Sequence, residues 1–226
     1  MQHSSFDIVG FDLDGTLVDT SGDLTAAVNH ALMLAGRAPL TPQQVTKMIG
    51  GGAKHMLAQA LDATGGCDAA EFRDHYTALL AYYGDHLSVH SRPFPGAVET
   101  LDALAARGVR LAVVTNKFER FATRLLGELG IADRFACVIG GDTLGPGNAK
   151  PSPAPVRAMI DRLGGGHAAF VGDSIYDIQA AQAAGIPAIA VSFGFLLGPV
   201  EAMGADAVID GYDALIPTLD GLCAIS

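Results

Sequence analysis

The stretch Ile8-Val9-Gly10-Phe11-Asp12-Leu13-Asp14-Gly15-Thr16 decides the architecture of this chain. Its first four residues are an uninterrupted apolar run too short for a helix, the pattern of a strand covered on both faces in a parallel sheet. The run stops abruptly in two carboxylates, a glycine and a threonine, which places Asp12 and Asp14 at a strand's C-terminal end. Residues two apart in a strand share a face, so both carboxylates can flank one reacting atom where the chain leaves the sheet.

Working outward, further apolar runs at 109–114, 136–139, 168–171 and 188–191 alternate with helical patterns. Phe118, Phe121, Ala122, Leu125, Leu126 and Leu129 recur at helical spacing before Gly130, and Val98, Leu101, Leu104 and Ala105 do so before Gly108. This alternation predicts an α/β fold, a Rossmann-like doubly wound parallel sheet. Residues 17–90 break it. They hold no convincing buried strand but show helical stretches at 24–35, 53–63 and 72–86, interrupted by Gly and Pro, and Pro93, Pro95 and Gly96 mark the return of the α/β pattern. The expected division is a catalytic core of residues 1–16 and 91–226 with a helical cap, residues 17–90, inserted after the first strand. Residues 145–155, rich in Gly and Pro, read as a loop at the ligand-binding edge of the sheet.

Composition removes several function classes. The 226 residues suffice for one full core and a smaller accessory domain, and 50% hydrophobic with 17% charged residues describes a chain that folds. A formal charge of −10 repels a phosphate backbone, and the Lys and Arg spacing shows no basic patch, so no nucleic acid partner is expected. No stretch approaches the ~20 apolar residues of a membrane span, and the polar N-terminus lacks a signal-peptide apolar region. The expected location is cytoplasmic. Cys67, Cys137 and Cys223 are odd in number, widely spaced and outside any C-x-x-C pattern, so they are expected to be reduced, mostly buried thiols. The absence of a Gly-Lys dipeptide, and of G-x-G-x-x-G after the first strand, removes nucleotide P-loop and dinucleotide readings.

Ligands of open α/β sheets bind beyond the C-terminal strand ends, and four such ends are polar here. They carry Asp12 and Asp14; Thr115, Asn116 and Lys117; Lys150-Pro151; and Gly172-Asp173-Ser174 with Asp177 beyond. Clustered carboxylates repel one another unless a cation neutralises them, and a hard, oxygen-preferring ion such as Mg²⁺ fits. Lys150 is one of four lysines, with Lys47, Lys54 and Lys117, and its place beside the acidic cluster suits anion binding. A metal, Lys150, the Thr115 hydroxyl and the Asn116 amide would surround phosphoryl oxygens while a carboxylate attacks in line. Taken singly, each group has a bland reading: Asp12 and Asp14 as solvated helix-capping carboxylates, Lys150 as a loop cation, Asp177 as a helix N-terminal residue. Their concurrence favours a phosphoryl-transfer site. His86 and His90, spaced i, i+4 without a nearby Glu, read as solvated helix-end histidines.

The segments DLDGT (12–16), VTN (114–116), Lys150-Pro151 and GDSIYD (172–177), in this order, resemble the four motifs of the haloacid dehalogenase superfamily. The resemblance implies that Asp12 is a nucleophile that becomes an aspartyl-phosphate, and that Asp14 protonates the leaving oxygen and then activates water. It also implies that Mg²⁺ is held by Asp12, the Asp14 carbonyl and Asp173, with Asp177 in support. Dehalogenase members lack the second Asp of the first motif, so Asp14 points to phosphate esters. TLVDT (16–20), PFPGAVETL (93–101), AVVTNK (112–117), GGDTL (140–144) and VGDSIYDIQAAQAAG (171–185) are similar to the bacterial phosphoglycolate phosphatases. That similarity implies a helical cap, a small phosphorylated metabolite as partner, and 2-phosphoglycolate as substrate; Asp19 is typical of the cap hinge.

Within residues 17–90, Ile49-Gly50-Gly51-Gly52-Ala53-Lys54 is a glycine-rich turn before a helix, where free N–H groups attract anions. Gly51, Gly52 and Lys54 are expected to receive the substrate's carboxylate, with a flexible turn as the equal alternative. Competing functions are another capped phosphosugar phosphatase or phosphomutase, and a phosphorylatable receiver-type module, which would need neither Asp14 nor the insertion. Monomer and homodimer both remain open.

Overall fold

The computed structural model describes residues 6–222; Cys223 and the first five residues lie outside this range. In chain order the elements are β1 (Ile8–Phe11), β2 (Val18–Asp19), α1 (Ser21–Leu34), α2 (Pro42–Thr46), α3 (Ala53–Ala63), α4 (Ala69–Asp85), β3 (Arg92–Pro93), α5 (Ala97–Ala106), β4 (Arg110–Val114) and α6 (Glu119–Glu128). There follow β5 (Cys137–Ile139), α7 (Ala154–Arg162), β6 (Ala168–Gly172), α8 (Ile175–Ala184), β7 (Ala188–Val191), β8 (Ala207–Ile209) and α9 (Leu215–Leu222).

Six strands form one sheet in the order β5-β4-β1-β6-β7-β8, with every neighbouring pair parallel. β1 is central, and its period-2 alternation feeds two cores. Val9 and Phe11 pack with Leu101, Leu104, Leu125 and Leu126 on one face, while Ile8 packs with Val114, Met159, Phe170 and Ile178 on the other. Gly10 takes the remaining position on that second face. A Cβ there would sit 2.4 Å from Met159 Sδ, so the helix α7 approaches β1 only over a glycine.

Helices α1 to α4 all fall between β2 and β3, which pair antiparallel with Val18 opposite Pro93 and Asp19 opposite Arg92. The helices have a core of their own, built from Val28, Ala31 and Leu32 of α1, Leu57 and Leu61 of α3, and Leu79 and Tyr83 of α4. Phe121 and Phe195 from the sheet layer join it. Asp23, fully buried in the first turn of α1, accepts from His90 N (3.0 Å), Ser91 N (2.9 Å) and Ser91 Oγ (2.7 Å), which ties the start of the helical segment to its end.

The structure corrects the sequence reading in five places. β8 with α9, the short α2, and the β2–β3 ladder were not expected. The 145–155 stretch is not all loop, since α7 begins at Ala154 with Pro155 in its first turn, where a missing N–H costs nothing. Cys67 and Cys137 are free but only half-buried, because Cys67 lies in the connection before α4 and Cys137 starts an edge strand. Asp19 Oδ1 accepts from Ser21 N (3.0 Å) and Oγ (2.6 Å), a local turn that launches α1. Among the described residues no helix is long and apolar enough to cross a membrane.

Candidate active site

The chain leaves β1 for β4 and β5 on one side and returns to β6, β7 and β8 on the other, so the topology switches beside β1. At such a point the loops beyond adjacent strands part and leave a crevice. Asp12 follows β1 and Asp173 follows β6, on either side of that crevice.

Asp12 extends the ladder through its N–H to Val171 O (2.9 Å), which aims its buried side chain beyond the strand ends. Lys150 Nζ lies 2.8 Å from Asp12 Oδ1 and 2.5 Å from Asp177 Oδ1, and donates to Val114 O at 2.7 Å. Despite that ion pair, Asp12 Oδ1 is buried with no hydrogen-bond partner of good geometry. Asp173 is held from two sides, Oδ1 by Thr16 Oγ1 (2.9 Å) and Oδ2 by Phe195 N (2.7 Å). Gly15 has φ +83°, and a Cβ on it would meet Asp173 Oδ2 at 2.2 Å, so the turn after Asp14 requires glycine twice over. Asp177 Oδ2 accepts from Ser174 N (2.9 Å) and Oγ (2.6 Å), a capping box for α8, while its other oxygen faces Lys150.

One oxygen from each of Asp12, Asp173 and Asp177 lies within 4.8 Å of the others. Burial, the largest influence, pushes the Asp12 carboxyl up to about 6; Lys150 pulls it back and Asp177 pushes further. Burial, then Asp12 and Asp177, hold Asp173 well above the carboxylate range. For Lys150 burial works against the charge, but Asp12 and Asp177 outweigh it and raise the ammonium pKa. One ammonium, in contact with Asp12 and Asp177, is thus set against a group of three buried carboxylates. A buried, all-oxygen donor set whose negative charge one ammonium does not balance fits a hard divalent cation.

Asp14 points elsewhere. Lys117 Nζ lies 2.5 and 2.7 Å from its two oxygens, and Thr20 Oγ1 donates to it at 2.7 Å. Its carboxylate is therefore no part of the three-carboxylate group, although Asp14 and Asp12 line one cavity. Burial opposes the Lys117 charge, but Asp14, with help from Tyr83, raises its pKa. The buried Thr115 Oγ1 accepts from Lys117 N at 3.2 Å. The Asn116 side chain donates to Gly50 O (2.9 Å) and Lys150 O (3.0 Å), bridging the helical segment and the sheet layer, so its side-chain N–H groups are engaged rather than offered to a ligand.

The cavity, about 60 Å³, is lined by Asp12, Asp14, Thr115, Asn116 and Lys117 from the strand ends and by Gly52, Ala53, Met56, Leu80 and Tyr83 from the helices. Gly51 and Lys54 are absent from this wall. Ala53 and Met56 face inward at i, i+3 spacing, which turns Lys54 about 100° away. It is exposed and lines a separate cleft with Asp62, Cys67 and Arg73. The expectation that Lys54 meets the substrate does not fit this geometry. His86 Nδ1 pairs with Tyr82 O at 2.8 Å and its ring stacks on Tyr82 at 4.2 Å, and among the described residues the acidic trio is the one candidate metal cluster.

Residues 9–191 match the haloacid dehalogenase-like hydrolases. The chain belongs to that family. Among its curated relatives are the phosphoglycolate phosphatases of Agrobacterium fabrum, 42% identical over 92% of this chain and 90% of that one, and of Rhodospirillum rubrum, 43% identical over 91% and 87%. A solved Haemophilus somnus structure, described as a predicted phosphoglycolate phosphatase, superposes with a TM-score of 0.90 at 32% identity, covering 96% of this chain and 99% of that one. Within this haloacid dehalogenase-like site, sequence reasoning gave no role to Thr16, Thr20, Lys117 or Tyr83. Lys117 ends the AVVTNK segment, but its contact with Asp14 spans 103 positions. Tyr83 carries no local signal at all, since its helical spacing reads as core.

Proposed function

We propose that this chain is a phosphoric monoester hydrolase that uses Mg²⁺ to convert 2-phosphoglycolate to glycolate and phosphate through an aspartyl-phosphate at Asp12. The observation that carries this reading is the buried Asp12 carboxylate, paired with Lys150 and within 4.8 Å of Asp173 and Asp177 oxygens, with Asp14 on the same cavity wall. Asp12 attacks phosphorus, forming a carboxyl O–P bond as the ester P–O bond breaks, and Asp14 gives its proton to the departing oxygen. In the second half-reaction Asp14 takes a proton from water, whose oxygen attacks phosphorus and frees Asp12. Lys150 and the Thr115 hydroxyl balance charge on the phosphoryl oxygens. Mg²⁺, held by Asp12 and Asp173 with Asp177 behind them, would supply the positive charge that lets a carboxylate approach a phosphate dianion.

Helices α1 to α4 act as a cap that excludes water from the aspartyl-phosphate. The names of the relatives support 2-phosphoglycolate, and a cavity of about 60 Å³ suits a small ester. Free Cys67 and Cys137 suit a reducing compartment, and we place the enzyme in the cytoplasm. The test is phosphate release from 2-phosphoglycolate, phosphosugars and an aryl phosphate with Mg²⁺ or EDTA, with Asp12→Asn as control. The expected result is a strong preference for 2-phosphoglycolate that EDTA and the substitution abolish. Comparable turnover of phosphosugars would replace the substrate, and activity that survives EDTA would overturn the mechanism.

A further inference from the structure

Tyr83, on α4, is 3% exposed, and its hydroxyl finds no acceptor among the described residues. Buried phenols ordinarily find one, so an orphan on a cavity wall marks a place for a ligand. The other helical-segment residues on this wall are apolar or glycine, which makes Tyr83 the one polar side chain the segment presents there. Its ring is fixed edge-on against Phe121, centroids 5.5 Å apart at 87°, and Lys117 Nζ lies 4.9 Å from the ring centroid. Lys117 Nζ, bound to both Asp14 oxygens, is also near enough to pull on the phenol's acidity, but an ammonium only donates, so the phenol's own hydrogen is left without an acceptor. Burial dominates and pushes the hydroxyl up to about 12, so it stays a neutral donor at physiological pH.

A second feature of the same wall selects the acceptor. Gly52 and Ala53 open the 11-residue helix α3, whose first N–H groups and positive dipole end favour an anion over a neutral hydroxyl. We propose that Tyr83 is a specificity-determining residue, its hydroxyl donating to the carboxylate of the substrate beside the start of α3. This rests on the phosphatase reading above and adds to it the group that recognises the non-phosphoryl end.

The test compares wild type and Tyr83→Phe on 2-phosphoglycolate and on ethyl phosphate, which replaces the carboxylate with a methyl group. Phe removes one oxygen and keeps the ring, and competitive inhibition by inorganic phosphate reports an intact phosphoryl subsite. Expected is about a tenfold or larger rise in KM for 2-phosphoglycolate with kcat little changed, ethyl phosphate kinetics unaltered, and the same inhibition by phosphate. A wild-type preference for 2-phosphoglycolate that Tyr83→Phe leaves intact overturns the Tyr83 proposal alone. An equal loss on both esters also overturns it, by making the role structural. Wild-type enzyme that shows no preference for 2-phosphoglycolate overturns the substrate reading and this proposal together.

Discussion

Lys117 grips both oxygens of Asp14 in a pair whose side chains are almost enclosed. On the mechanism proposed above, the ammonium sets the direction in which Asp14 passes a proton. Lys117→Met is expected to lower kcat on an alkyl ester such as 2-phosphoglycolate by about 10²-fold, the scale of a general acid misplaced. An aryl phosphate, whose leaving group departs without a proton, should lose only a few-fold. Steady-state kinetics on the two esters decides it, and equal losses would show that Lys117 serves the phosphoryl group instead. At this scale much of the site is legible in the chain, because Asp12, Lys150 and Asp173 come straight after apolar runs or inside a marked loop. Partners are not legible in the same way. That Lys117 meets Asp14, that Thr16 holds Asp173, or that Lys54 turns outward depends on rotamers and on the phase of a helix, which periodicity leaves open.

Among the elements, α1 and the approach to β3 are joined by the buried Asp23 carboxylate and its three donors from His90 and Ser91. Asp23→Ala leaves two backbone N–H groups without their acceptor, and the expected cost is about 3 kcal/mol of global stability in urea unfolding. A loss under about 1 kcal/mol would mean that water replaces the carboxylate. The same scale shows where sequence patterns reach their limit. Apolar runs mark β1, β4, β5, β6 and β7, but β8 is three residues between Asp206 and Asp210 with Val208 half-open to solvent, too short and too wet to register. α2 has five residues and announces itself only by the capping box of Thr41 and Gln44. Prolines near the start of α7 read as loop because proline is a breaker everywhere except a helix's first turn.

For the whole molecule, the acidic cluster sets function against stability. The Asp12 carboxyl moves from an ordinary 3.8 to about 6 on folding, chiefly through burial. A carboxyl raised in this way costs nothing below the unfolded value and most above the folded one, and the full cost is about 3 kcal/mol. Metal-free Asp12→Asn is therefore expected to be more stable than metal-free wild type by about that amount at pH 7.5, the gain shrinking as pH falls from about 6 towards 4. Denaturant midpoints in EDTA across this range test the point, and a gain that ignores pH would show that charge burial is not its source. The two-residue pairing of β2 with β3 carries a different lesson. Because the chain departs and comes back at adjacent positions, the four helices are, to the sheet, merely a long turn. An engineer could exchange them for another lid without redrawing a single strand crossing beneath, so on the proposed reading the chemistry and the choice of substrate can be altered separately.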